Sequence, residues 1–181
     1  MKIQKHLLLA LFFLCGIQSF AQKQQTLTYF QNDTLKLDLD LYLPKKKSNE
    51  KIPLIMFAFG GGFSGGERTS EKEFGKFMAE NGYAVASISY SLYMKGKDFG
   101  CKGTLTEKIK AIQIGVSDMW QATAFLVENA DKYNLDTSKI FISGISAGAE
   151  IGFHASFWDY KLMNLYKNNL PENFKYKGFI G

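Results

Sequence analysis

Histidine and cysteine are nearly missing from this sequence: its 181 residues include two of each. Cys15 lies in an apolar segment near the start that reads as removable. Lys2, Lys5 and His6 are positive, residues 7–14 are apolar, and Ser19, Phe20 and Ala21 offer a small-residue cleavage site. This is the layout of a secretory leader at residues 1–21, cut after Ala21. The mature chain then holds only Cys101, which excludes an internal disulfide, and a single histidine, His154. Long apolar runs are lacking as well. The leader's run falls well short of the ~20 residues that cross a bilayer, and no second such run follows. The expectation is a secreted or periplasmic protein without a stable membrane anchor.

A strong charge of either sign is also absent. Two of the 22 Lys+Arg residues lie in the leader, which leaves 20 against 17 Asp+Glu and a net charge of +3. That is too mild to imply nucleic acid, and no basic stripe with interleaved aromatics appears. Lys45, Lys46 and Lys47 form a short basic run beside Pro44, which a solvated loop explains. Cys101 sits in a Gly-rich stretch with no histidine near it in sequence. No cluster of metal-ligating side chains and no cofactor motif is visible, so neither a metal nor a cofactor is expected. No repeat, low-complexity tract or linker divides the chain, and residues 22–181 read as one domain.

What the chain does have is a core: 46% of its residues are apolar and 15% aromatic. Residues 35–43 alternate strictly, leucines on one face and polar side chains mostly on the other, as in a half-buried antiparallel strand. Residues 52–59 form a continuous apolar run, as expected of a strand buried on both faces. Ser70-Glu71-Lys72-Glu73 reads as a capping box opening a helix that Asn81-Gly82 stops. Residues 84–90 form a second buried strand. A second capping box, Thr104-Leu105-Thr106-Glu107, opens a long helix to about Tyr133. Ile109, Ile112, Val116, Trp120, Thr123 and Val127 recur on it at helical spacing. Residues 139–143 are a third buried strand, residues 147–158 a helix, and residues 177–180 enter another strand. Strands separated by helix-length segments predict parallel βαβ units.

Two glycine motifs stand at strand ends. Gly144-Ile145-Ser146-Ala147-Gly148 occupies the turn from a buried strand into a helix. That turn needs glycines where neighbouring backbone passes closely, and it lifts the serine hydroxyl above the sheet edge. It also aims the Ala147 amide, at a helix N-terminus, toward a developing oxyanion. Gly60-Gly61-Gly62-Phe63 follows the earlier strand, and glycines let backbone amides turn inward without side chains in the way. Residues 60–65 also satisfy G-x-G-x-x-G, the dinucleotide fingerprint. That alternative requires a helix opening directly on the loop and an acid at the end of the next strand. Here residues 66–69 prolong the loop, and the next strand ends in Ser89-Tyr90-Ser91.

With Gly82-Tyr83-Ala84-Val85, Asp118 and residues 134–140, these motifs make residues 35–181 resemble a known group. It is the α/β-hydrolase esterase/lipase group that includes hormone-sensitive-lipase-like and carbohydrate-ester carboxylesterases. The resemblance implies an α/β-hydrolase fold, a mostly parallel sheet with flanking helices. It implies Ser146 as nucleophile, an oxyanion hole from Gly61, Gly62 and Ala147, and a small-molecule ester as substrate, with short-chain or carbohydrate-linked acyl groups. Asp118 and Asp136 match recurring positions read as structural. The chain departs from the pattern in having Phe59 where a histidine usually precedes the glycines, and Ala149-Glu150 where a second glycine usually follows the elbow.

A serine nucleophile needs a histidine held by a carboxylate. His154 lies eight residues past Ser146 on the same helix, about 12 Å along its axis, and a packing role is expected for it. Asp159 stands at the wrong end of that helix. The chain order of this fold is serine, acid, histidine, so the remaining triad members are expected beyond Gly181. These residues then form the N-terminal part of a longer enzyme, inactive by itself. A non-catalytic binding module of the same fold, and a peptidase or amidase, are the alternatives.

Overall fold

A computed structural model describes residues 23–45, 50–97, 103–167 and 169–181. The leader expected at residues 1–21, Cys101 and two lysines of the 45–47 run lie outside the described residues. Among the described residues six strands form one sheet: β1 (Lys23–Gln31), β2 (Lys36–Leu43), β3 (Ile52–Ala58), β4 (Ala84–Ile88), β5 (Leu135–Gly144) and β6 (Phe179–Ile180). Their spatial order is β1-β2-β4-β3-β5-β6. β1 pairs with β2, and β2 with β4, in antiparallel fashion. β3 pairs parallel with both β4 and β5, and β5 parallel with β6. The helices are α1 (Lys72–Glu80), α2 (Leu105–Glu128), α3 (Ala130–Tyr133), α4 (Ala147–Phe157) and α5 (Tyr160–Met163).

The strand register sorts the layers. Asp40 and Tyr42 of β2 lie opposite Ser87 and Val85 of β4, which pair in turn with Phe57 and Ile55 of β3. Since side chains alternate between faces, these residues share one face, and α1 covers it. The Phe74 ring of α1 lies 5.1 Å from that of Phe57, and the backbone at Gly75 presses on the Tyr42 ring. The other face carries Leu39, Leu41, Met56 and Ile142, all fully buried. There α4 packs through Gly152 against Ile142 and Phe179, and α2 packs beside α4. The result is a three-layer α/β/α sandwich in which both faces of the parallel strands are covered.

Several local expectations needed correction. β1 adds a strand to those the sequence predicts: its polar sequence, KQQTLTYFQ, suits an edge strand with one face in water. β2 is not half-exposed, because β1 and β4 flank it and α1 covers its second face. Asp40 is 1% exposed, accepts a hydrogen bond from the Thr26 hydroxyl (2.6 Å) and pairs with the Arg68 guanidinium (3.1 Å). The first capping box does not form. Turns closed by Ser70 N–H to Glu67 and Lys72 N–H to Thr69 use up that stretch, so α1 begins at Lys72 after Glu71, which makes no side-chain cap. The second does form at Thr104, whose hydroxyl accepts the Glu107 amide. The long helix breaks at Asn129, whose side-chain amide N–H donates to the Phe125 carbonyl, and α3 completes it. Within the expected stripe, Val116, Trp120 and Thr123 are buried, but Ile109 is half-exposed.

Candidate active site

Ser146 sits where β5 hands over to α4, at the carboxyl ends of the parallel strands, where open α/β sheets hold their ligands. Its backbone lies at φ 53°, ψ −119°. For a residue with a Cβ this conformation costs on the order of 1–3 kcal/mol. The surroundings enforce it through close approach. A methyl on Gly144 would come within 2.3 Å of the Gly148 carbonyl oxygen, and one on Gly148 within 2.0 Å of the Ala58 carbonyl oxygen. Only glycine therefore lets α4 start this close to the ends of β3 and β5. The Ile145 amide bonds the Ala58 carbonyl at 3.2 Å, and the Gly148 and Glu150 amides bond the Ile145 and Ser146 carbonyls. Ser146 itself remains exposed.

The glycine loop lies directly beside it. A methyl on Gly60 would stand 3.2 Å from Ser146 Cβ and 3.0 Å from the Ile145 carbonyl oxygen. Gly61 and Gly62 both have positive φ (134° and 59°), and the loop folds back so that the Ser64 and Gly65 amides bond the Gly61 carbonyl. No helix opens on this loop, which removes the geometry a dinucleotide fingerprint needs. The amides of Gly61, Gly62 and Ala147 donate to no acceptor among the described residues. For Ala147 this follows from its place as the first residue of α4, where amides have no intrahelical partner.

What fixes the loop was not legible in the sequence. Phe59, in the place of the usual histidine, stacks on Tyr90 (4.4 Å between centroids), and the Tyr90 hydroxyl donates to the Phe59 carbonyl at 2.9 Å. Burial raises the Tyr90 pKa, so that hydroxyl stays protonated. Phe63, fully buried at φ 57°, accepts the Met94 amide through its carbonyl (2.9 Å) and lies against Gly115 of α2. Asp118, 1% exposed on α2, accepts the Ser91 amide at 2.7 Å and so holds the segment between Tyr90 and Met94. Burial pushes its carboxyl up to about 7, against the opposing pull of the Ser91 hydrogen bonds. Arg68 ties down the returning arm of the loop, since its carbonyl accepts the Ser87 hydroxyl and its side chain meets Asp40.

The remaining candidates fall away from Ser146. Asp136 caps a turn within β5, accepting from the Ser138 amide and hydroxyl. His154 packs on α4 with its ring tilted on that of Trp158 at 4.4 Å and meeting that of Phe153 edge-on. Burial lowers its pKa, partly offset by Glu150. Asp159 caps α5.

A sequence model named BD-FAE matches residues 39–177. The chain belongs to the BD-FAE family. Among curated relatives it is 28% identical over 145 residues to a protein of Oryza sativa subsp. japonica named as a probable isoprenylcysteine α-carbonyl methylesterase, covering 80% of this chain and 31% of that one. The fumonisin B1 esterase of Sphingopyxis macrogoltabida is 27% identical over 116 residues, 62% of this chain and 21% of its own. Among solved structures, esterase 2 of Thermogutta terrifontis with propionate bound superposes with a TM-score of 0.67 at 20% identity, over 89% of this chain and 54% of that one. This BD-FAE member has the α/β-hydrolase fold, and the chain spans between about a fifth and about half of the length of these proteins.

Proposed function

We propose that the protein is a serine carboxylic-ester hydrolase working through an acyl-serine intermediate. One observation carries the reading: Ser146 is held exposed at φ 53° on a turn that glycines make possible, beside Gly60 at the head of the glycine loop, and this reading takes the amides of Gly61, Gly62 and Ala147 as the oxyanion hole. Ser146 Oγ adds to the ester carbonyl carbon, and the three amides receive the oxyanion. One such donor is worth roughly 10²–10³ in rate. The tetrahedral species expels the alcohol and leaves the acyl group on Oγ. Water then adds to that carbonyl and releases the carboxylic acid and the serine. Protons pass through a histidine oriented by a carboxylate, which this reading places after residue 181 in the natural protein. In support, the relatives are named as esterases and are longer than this chain. The propionate in the Thermogutta terrifontis enzyme fits short acyl groups, and carbohydrate-linked esters belong to the same proposal.

The test is fluorophosphonate labelling of the full-length natural protein. Wild type should be labelled at Ser146 and Ser146→Ala should not. Folded wild type that stays unlabelled would refute the esterase and leave a binding module of the same fold. Export belongs to the proposal as well, on the charge and apolar pattern of residues 1–21. The secreted protein should begin at Gln22, which N-terminal sequencing reads directly.

A further inference from the structure

The first turns of α2 carry apolar side chains that the fold leaves uncovered. Leu105 is 72% and Ile109 49% exposed, although both lie on a helix whose later turns are buried. Contacts between helices place them. Gly115 of α2 lies against Ile151 of α4, and the Trp120 indole N–H donates to the Ala155 carbonyl. The two helices therefore run parallel, offset by 35 to 36 residues, and Ser146 stands level with residues 110–111 of α2. At 1.5 Å per residue Ile109 lies about 2 Å and Leu105 about 8 Å above the nucleophile, past the point where α4 begins.

Direction follows from the same contacts. At about 100° per residue, taking Gly115 as zero, Trp120 lies near +140°. Those two contact directions bracket the arc facing α4. Ile112, Leu105 and Ile109 fall within it, near +60°, +80° and +120°. Of the polar residues on the same turns, Glu107, paired with Lys97 (2.6 Å), and Lys110, over the Tyr93 ring, point outside that arc, while Lys108, near +20°, stands at its edge. Ile145, next to the nucleophile, is also 48% exposed. Ile112 is partly buried against the core, so the strip runs unbroken from the core to the open end.

We infer that Leu105 and Ile109 form the wall on which the apolar acyl chain of the substrate lies. This rests on the esterase reading of Ser146. The occupant is argued from continuity: the strip begins beside the serine, rises above it, and stands where no helix of the described residues covers it. An acetyl group is too short to reach Leu105, whereas a longer chain gains contact with each added methylene, at about fourfold per CH₂.

The experiment compares kcat/KM for p-nitrophenyl acetate, butyrate and hexanoate with the full-length natural protein. Leu105→Asp and Ile109→Asp should each lower the hexanoate-to-acetate ratio by about tenfold relative to wild type, and Leu105→Met should restore it. Phe77→Asp, a charge placed at an equally exposed site on α1, should leave the ratio where it was. An unchanged ratio in the α2 variants overturns the inference, including the case in which all esters slow together because protein rather than substrate covers the strip. The esterase reading is judged separately, by labelling and acetate hydrolysis in the wild type.

Discussion

Replacing Asp118 by asparagine should make the protein more resistant to unfolding at pH 8 and change little near pH 4. The carboxyl is nearly fully buried and receives one backbone hydrogen bond, from Ser91 at 2.7 Å, with no cation paired to it among the described residues. Tyr29 of β1 and Tyr166 are the titratable groups that feel its charge, and both phenols are raised chiefly by burial. The folded protein holds a proton on Asp118 up to about pH 7, against an ordinary value of 3.8. Between those limits the folded state binds more protons here than the unfolded state, so stability falls as pH rises. About three units at 1.36 kcal/mol each give roughly 4 kcal/mol lost by pH 7 and above. Asparagine keeps an oxygen for the Ser91 amide but has no charge to bury. Urea unfolding followed by the fluorescence of Trp120 and Trp158 should show the Asn variant gaining on wild type by more than 1 kcal/mol from pH 4.5 to 7.5. Surface carboxylates held low by their partners, such as Asp131 by Lys51 and Glu172 by Lys161, cancel in the difference. A flat difference, or wild type gaining as pH rises, would refute the reasoning, since the Ser91 amide would then be offsetting the full cost of burying the charge.

Three further outcomes follow from the same geometry. Ser146→Gly should raise stability by about 1 kcal/mol in thermal melts while abolishing labelling, because glycine adopts φ 53° without strain. Tyr90→Phe leaves the Phe59 carbonyl without its buried donor. It should cost about 1–3 kcal/mol and slow fluorophosphonate labelling by loosening the loop beside Ser146. Gly148→Ala drives a methyl to 2.0 Å from the Ala58 carbonyl, backbone that cannot yield. It should cost about 3 kcal/mol or more, against about 1 kcal/mol for Gly82→Ala, where space is open and only the positive φ strains. Midpoints of urea unfolding separate the two.

The elements legible in the sequence are those whose signal is local. The apolar run of β3 needs burial on both faces, the threonine at 104 can cap only the helix that follows it, and the Gly-x-Ser-x-Gly turn is recognisable because its constraint, two glycines at fixed spacing, is written in five consecutive residues. Ser70 shows the limit of such signals. It has the right neighbours for a cap, yet the preceding turns place it outside the helix.

What the sequence by itself determined was therefore the alternation of strands and helices and the position of the elbow, because periodicity and close backbone approach depend on near neighbours. Only the tertiary structure decided that Asp40 is buried by Arg68, that Phe59 rests on Tyr90, that Asp118 holds the Ser91 amide, and that the start of α2 rises bare beside Ser146. The reason is one of distance along the chain. Each of those partners lies 27 to 31 residues apart, or on another helix, and only strand order and helix register bring them together.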